Sequence, residues 1–231
     1  MAADGAARAH VFVDDVDAPV LSSGDAHHLR RVLRLRPDEI VTVSDGAGRA
    51  RLFRFGPPLE PAGDASYEPA PSPAITVAFA LTKGERPEWV VQKLTEVGVD
   101  RIVPFVAARS IVRWDEAKSA REVERWRRIA REAAMQSRRV WLPEVEQVRD
   151  FATVVDAIGA GACLADRAGG APALSRPAVL VGPEGGWSDD ERACGLPVVG
   201  LGRHVLRAET AAVAAGVVLS ALRAGLIGGP D

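Results

Sequence analysis

The sequence predicts an α/β protein in which a domain with a mostly parallel sheet follows a small β-rich domain, and three observations predict it. From Ile75 onward, short apolar runs suited to buried strands alternate with helical patterns, as in chains of β-α-β units. Before residue 73, short β-like runs lie between turn residues with no such alternation. Between them, Gly56-Pro-Pro58 followed by Pro61, Pro69, Pro71 and Pro73 reads as a linker, giving domains of 1–73 and 74–231.

In the first domain, β-like runs at His10 to Val13, Ile40 to Ser44 and Arg49 to Phe55 surround Asp45-Gly-Ala-Gly48 and suggest a small barrel. Asp25 to Leu35 interrupts them with a helical turn or two, Leu29, Val32 and Leu33 facing inward and the arginines outward. In the second, strands are expected at Ile75 to Leu81, Arg101 to Val106, Ala162 to Leu164, Ala178 to Val181 and Val198 to Leu201. The first helix runs from Pro87, proline suiting a first turn, to Val97, with Gly98 just past its end. Ala117 to Arg139 forms a long helix with Val123, Trp126, Ala130, Ala133 and Ala134 on one face and Arg121, Arg125, Arg128 and Arg131 away from it. Further helices are expected around Arg149 to Ile158, Ser188 to Ala193 and Ala211 to Arg223.

A chain of 231 residues with 47% hydrophobic content is large enough for a substantial core. No stretch approaches the roughly 20 apolar residues that span a bilayer, and Met1 to Arg8 lacks a basic-then-apolar leader layout, so a cytoplasmic protein without a membrane partner is expected. Cys163 and Cys194 are too far apart for a zinc motif and the four histidines have no helical metal spacing, so no metal is expected. The net charge of −2 hides a local cluster: Arg30, Arg31, Arg34 and Arg36 occur with no acidic neighbour from His27 to Arg36. Such a cluster suits nucleic-acid phosphates, with a solvated helix face as the alternative.

The most informative segments are Val181-Gly-Pro-Glu-Gly-Gly-Trp187 and Leu201-Gly-Arg-His-Val-Leu-Arg-Ala-Glu-Thr-Ala-Ala212. Gly182, Gly185 and Gly186 leave a strand-end loop with little side-chain cover, so that a ligand can lie against bare backbone. Glu209 and Thr210 open the last helix, whose Ala211, Ala212, Ala214, Ala215 and Gly216 permit close approach by a ligand or a second chain. Either segment alone is compatible with an ordinary turn or helix start; their conjunction, in this order and near the C-terminus, reads as a cofactor site.

At these residues the chain resembles the RsmE-type family of bacterial 16S rRNA uridine N3-methyltransferases, members of the SPOUT class. The resemblance continues through His27-His-Leu-Arg-Arg-Val-Leu-Arg-Leu35, Ala80-Leu-Thr-Lys83, Gln92-Lys-Leu-Thr-Glu-Val-Gly98 and Gln136-Ser-Arg-Arg139, and so covers nearly the whole chain. It implies a PUA-like, RNA-binding first domain and a SPOUT domain whose C-terminal segment is threaded into a trefoil knot, an exception to unknotted topology that leaves no mark in hydrophobic spacing. It also implies S-adenosylmethionine as cofactor, 16S rRNA in the small ribosomal subunit as substrate, and a homodimer formed through the knotted region, with the last helix as interface candidate.

Carried onto this sequence, the resemblance puts Thr82, Gly182, Glu184, Gly185, Leu201, Gly202, Leu206, Thr210 and Ala211 around the cofactor. Arg207 and Glu209 are the catalytic candidates. A guanidinium beside a uracil carbonyl stabilises the charge that builds as N3 loses its proton, and Glu209 either orients Arg207 or accepts that proton; the alternative is that the two pair merely to fix the loop. Lys83, Arg138 and Arg139, with Arg30, Arg31, Arg34 and Arg36, would contact RNA phosphates. Gln136 would bond the uracil edge or the loop backbone, and Trp114 and Trp187 offer stacking faces but read better as packing residues. The chain departs from the family pattern at Ala208, where threonine is frequent, at Arg203-His204 in place of Pro-Arg, and at Arg36-Pro-Asp38 in place of Arg-x-Gly. Two other functions stay open: a methyltransferase of the same class acting on another RNA such as tRNA, and a non-catalytic RNA-binding or assembly protein on the same fold.

Overall fold

From Thr76 onward, every strand of one seven-stranded sheet runs parallel to its neighbours. The computed structural model describes residues 7–229; of the N-terminal stretch read for a leader layout, all but the last two residues lie outside this range. By internal contacts the chain divides into two units, Met1–Ala70 with Arg131–Leu142, and Pro71–Ala130 with Pro143–Asp231.

The first unit holds β1 (Ala9–Phe12), β2 (Ile40–Ser44), β3 (Arg49–Arg54) and two-residue strands β4 (Glu60–Pro61) and β5 (Ser66–Tyr67). β1 pairs parallel with β2, β2 antiparallel with β3, and β3 carries both β4 and β5. Val11, Val41, Val43, Phe53 and Leu29 fill its core. Helix α1 (Ser23–His27) is capped by Ser22, whose Oγ accepts from Asp25 N at 3.0 Å, and passes into one π-type turn, His28–Val32. That turn corrects the expected facing. Leu33 N bonds back to His28 O, the wider winding delays the return to the core face, and only Leu29 is buried while Val32 and Leu33 are exposed. A second correction concerns Arg131, which turns inward. Its Nη1 and Nη2 donate to Asp25 at 3.0 and 2.8 Å and Nη2 also reaches Phe12 O at 3.0 Å, a bidentate pair on a buried carboxylate. Burial raises the Asp25 pKa, but the hydrogen bonds from Arg131 and Ser22 outweigh it, and the carboxyl is held below its ordinary value.

In the second unit the sheet comprises β6 (Thr76–Ala80), β7 (Arg101–Val106), β8 (Glu144–Val145), β9 (Arg149–Asp150), β10 (Ala162–Gly170), β11 (Ala178–Val181) and β12 (Val198–Val199). The order is β12-β10-β11-β6-β7-β8, with β9 also on β7. Both faces are covered, which is why the strands are apolar nearly throughout. Ile75, Val77, Phe79 and Val179 share one core with α2 (Arg86–Glu96), the first half of α3 (Glu116–Gln136) and α6 (Ala208–Arg223). Ala78, Val103, Phe105 and Leu180 share the other with α4 (Phe151–Ile158) and Trp187. Asp150 caps α4 through Thr153 N at 2.9 Å. Near its end, α6 is tied to the start of the sheet by Arg223, which pairs with Asp100 and donates to Gly98 O at 2.8 Å.

The small residues of α6 have a definite use. Ala212, Ala215 and Gly216 are buried against the same unit, and a Cβ on Gly216 would lie 2.8 Å from Leu94 Cδ2 and 2.9 Å from Val99 Cγ2. Of the small residues expected to admit a ligand or a second chain, these three let α6 approach α2 within the unit, and Ala211 lines the cavity described below.

Candidate active site

The two motif segments meet at the carboxyl ends of β10 and β11, where open α/β sheets bind ligands. The loop after β11 is held at several points. Gly186, at φ 70°, closes a turn through its N–H to Pro183 O at 2.8 Å. Trp187 is buried, donates Nε1 to Ala165 O at 3.0 Å and stacks on Phe105, so it is a packing residue. Ser188 and Glu191 then form a reciprocal capping box on the short helix α5 (Asp189–Arg192), and the other oxygen of Glu191 accepts from Ala108 N at 2.7 Å. Two of the glycines serve packing inside the protein: a Cβ on Gly182 would meet the Trp187 ring at 3.0 Å, and one on Gly185 would meet Arg109 Cβ at 3.2 Å.

This loop, the segment before α6 and the ends of β10 and β11 enclose a cavity of about 470 Å³, within the range of small-molecule sites. Of the residues singled out by sequence, Gly182, Glu184, Leu201, Gly202, Leu206, Arg207 and Ala211 line it. Gly185 stands behind it, its carbonyl accepting from Arg109 at 3.2 Å, and Thr210 is exposed in the first turn of α6. Thr82 and Lys83 line a separate hollow, described below. Arg207, exposed at the N-cap of α6, lines the cavity and makes no ion pair or side-chain hydrogen bond to the other described residues.

Glu209 is engaged elsewhere. Arg86, the first residue of α2, donates Nη1 to Glu184 Oε1 at 2.6 Å and lies with Nε 3.8 Å from Glu209 Oε1. One guanidinium thus joins a carboxylate from each motif segment. The second oxygen of Glu209, Oε2, is buried and has no hydrogen-bond partner among the described residues, a costly state for a carboxylate unless a ligand completes it. Sequence reading missed Arg86 because its partner Glu184 lies 98 residues away and no local pattern signals the bridge. It also missed Asp166 and Arg192 in the cavity wall, which pair at 2.5 Å. A hydrogen bond from Ala168 N, reinforced by Arg192, keeps the Asp166 carboxyl below its ordinary range despite partial burial.

The predicted RNA contacts fall mostly in the first unit. Arg30, Arg31, Arg34 and Arg36 are all exposed and none forms an ion pair within the described residues. Gln136 ends α3 in an exposed position, and Arg138, at φ 59°, donates Nη2 to Ala7 O at 2.8 Å, while Arg139 N closes on Ala134 O. Asp38 adopts φ 69°, the left-handed conformation for which the family pattern places glycine. Among the described residues there is no cluster of three or more His, Cys, Asp or Glu placed to hold a metal ion, and no helix long and apolar enough to cross a membrane.

A layered α/β sheet with a ligand cavity built from its C-terminal loops, joined to a small mixed β unit, is the architecture of an RNA methyltransferase, and known proteins agree with that class. Residues 68–220 match the RNA methyltransferase domain family and residues 21–55 the RNA methyltransferase PUA domain. The chain belongs to the family of ribosomal RNA small subunit methyltransferase E. It is 35% identical to the protein of that name from Mycobacterium bovis over 229 residues, covering 87% of this chain and 86% of the relative. Among solved structures it is similar to the ribosomal RNA small subunit methyltransferase E of Neisseria gonorrhoeae bound to S-adenosyl methionine, with TM-score 0.75, 27% identity and coverage of 94% and 97% of the two chains. A putative methyltransferase of Legionella pneumophila in complex with the cofactor SAM is likewise similar, with TM-score 0.78, 29% identity and coverage of 92% and 96%.

Proposed function

We propose that this protein transfers a methyl group from S-adenosylmethionine to N3 of one uridine of 16S rRNA within the small ribosomal subunit. The observation that carries the reading is the Glu184-Arg86-Glu209 bridge beside the cavity of the two motif segments, with Glu209 Oε2 buried and unpartnered. The named relatives, two of them bound to S-adenosyl methionine, support the cofactor and substrate class.

The cavity residues fit the cofactor in chemistry: apolar Leu201, Leu206 and Ala211 suit adenine and ribose, while Glu184 and the Asp166-Arg192 pair suit the polar amino-acid end. Gly182 and Gly202 complete the proposed set around it, with Gly185 behind the loop and Thr210 at the start of α6, whereas Thr82, expected in this set, lies in the separate hollow. When bound, the cofactor supplies a methyl on a positively charged sulfur. In this reading Glu209 Oε2 accepts the N3 proton, Arg86 holds the other oxygen so that the carboxylate is oriented, and Arg207 stabilises the negative charge that develops on the uracil carbonyls. Alignment of donor and acceptor carries the rest of the rate.

The exposed arginines Arg30, Arg31, Arg34 and Arg36, with Lys83, Arg138 and Arg139, position the RNA backbone, and Gln136 bonds the uracil edge or the loop backbone; in this reading the N-terminal residues expected as a domain of 1–73, together with Arg131–Leu142, act as the RNA-binding unit and the remainder of 74–231 as the catalytic one. The proposal includes the trefoil knot, which the family resemblance implies, and a cytoplasmic homodimer, supported by exposed Val205 and Val217 on and beside α6. The test is methyl incorporation from labelled S-adenosylmethionine into small subunits, naked 16S rRNA and bulk tRNA from a strain lacking this gene, with mass mapping of the product. Label at one N3-methyluridine of small-subunit RNA is expected; label only in tRNA would move the substrate, and none despite bound cofactor would leave a non-catalytic RNA-binding protein.

A further inference from the structure

A second hollow, of about 370 Å³, opens in the same unit on the other side of the segment after β6. Thr82, Lys83 and Glu85 form one wall, Val112 and Trp114, which follow β7, the floor, and Lys118 and Glu122 of α3 the far wall. It therefore sits over β6 and β7 as the first cavity sits over β10 and β11, both at the carboxyl edge of the sheet. The two share one partition: Arg86 reaches Glu184 and Glu209, while the residues just before it face the hollow.

The chemistry of the lining is mixed. Arg125 neutralises Glu88 at 2.9 Å, leaving Lys83 and Lys118 as donors and Glu85 and Glu122 as acceptors around a half-buried indole. A site for phosphate alone would carry an excess of cations; paired donors and acceptors around an aromatic face suit a nucleobase, whose edge has both and whose plane stacks. Gly84, at φ 71° with nothing within 4 Å of where a Cβ would stand, keeps the rim open.

We propose that this hollow seats one unpaired nucleotide of the RNA substrate next to the methylated one, its base stacked on Trp114. The proposal rests on the RNA methyltransferase reading above. In the structure Lys118 Nζ lies over the Trp114 ring, 5.2 Å from its centre. The base is the stronger of the two occupants, because stacking on an aromatic face outweighs the attraction of an exposed, hydrated cation for the same face. The base displaces the ammonium, which remains at the rim for the adjoining phosphate.

The experiment measures equilibrium binding of purified small subunits by filter retention, beside methyl transfer and calorimetric S-adenosylmethionine binding. Trp114→Leu keeps apolar bulk against Trp126 but removes the stacking face, and is expected to weaken subunit binding about tenfold, with cofactor affinity unchanged. Trp114→Phe restores binding to within threefold. Lys118→Glu, at an exposed position, weakens it at least threefold and covers the case in which Trp114→Leu fails to fold. Equal binding by wild type, Trp114→Leu and Lys118→Glu overturns the proposal, as does Phe behaving like Leu or a parallel loss of cofactor affinity. Trp114-dependent binding without methyl transfer upholds the hollow and overturns the proposed function; methyl transfer indifferent to Trp114 does the reverse; no binding by wild type overturns both.

Discussion

Replacing Glu209 by glutamine separates chemistry from folding, because the structure assigns very different sizes to the two effects. The exchange is isosteric, and Oε2 has no partner among the described residues to lose. The charge pair with Arg86 at 3.8 Å would be worth about 4 kcal/mol at an effective dielectric of 20. Arg86 is 42% exposed, however, and such pairs contribute only about 0–1 kcal/mol once solvent screens them. That corresponds to a Tm shift of no more than about 2–4 °C in a chain of this size. A lost proton acceptor costs about 10²–10⁴ in rate, or about 3–5 kcal/mol of barrier. Single-turnover methyl transfer to small subunits, at saturating cofactor, should fall at least a hundredfold in Glu209→Gln while calorimetric cofactor affinity stays within a few fold. A rate within tenfold of wild type would refute proton acceptance, and a rate lost together with cofactor binding and several degrees of Tm would make Glu209 structural.

Other outcomes follow from the same structure. Arg207→Ala should abolish methyl transfer with cofactor affinity nearly intact, since the side chain pairs with no other described residue; equal loss of both would make it a scaffold residue. Asp25→Asn should cost about 2 kcal/mol in chemical denaturation at pH 7. Because the folded pKa of Asp25 is depressed, its contribution is present above the unfolded carboxylate pKa, near 4, and is lost as pH falls through the folded value. The wild-type advantage should therefore shrink below pH 4; a pH-independent gap would refute the ion-pair account. Gly216→Val should destabilise by about 1–3 kcal/mol through overpacking against Leu94 and Val99, with Tm as the readout. Burial pushes the Cys163 thiol up to about 11, whereas Cys194 is half-buried, so iodoacetamide at pH 8 should label Cys194 in the native protein and both thiols in denaturant.

Regular elements with a strong apolar signature were legible from the residues alone. Ile40–Ser44, Arg101–Val106 and Ala178–Val181 have the bounds expected of them, since four to six consecutive apolar or β-branched positions between turns permit little else. The buried face of α3 was likewise read from its spacing. Two-residue strands such as β4 and β8 leave no periodicity to find. Local winding defeats pattern reading as well: the π-type turn at His28–Val32 put Val32 and Leu33 on the wrong side, because a helical wheel assumes constant winding. In the site, segments rich in glycine and charge announced themselves by composition, so most of the cavity lining was foreseen. Arg86 was not, because an ion pair between distant segments is a property of the folded chain.

The composition of the first unit bears on how the protein is made. Asp25 depends on Arg131, and Trp141 donates Nε1 to Glu68 O at 2.9 Å beside Gly48, where a Cβ would lie 2.7 Å from the indole. A chain emerging from the ribosome therefore exposes residues 1–70 well before residues 131–142 exist to complete them. At about 5–20 residues per second that interval is on the order of 4–14 s, during which the buried Asp25 position lacks its cation. A fragment cut after the proline-rich linker would be caught permanently in that state, so transplanting this RNA-binding unit onto another enzyme requires the second segment as well as the first.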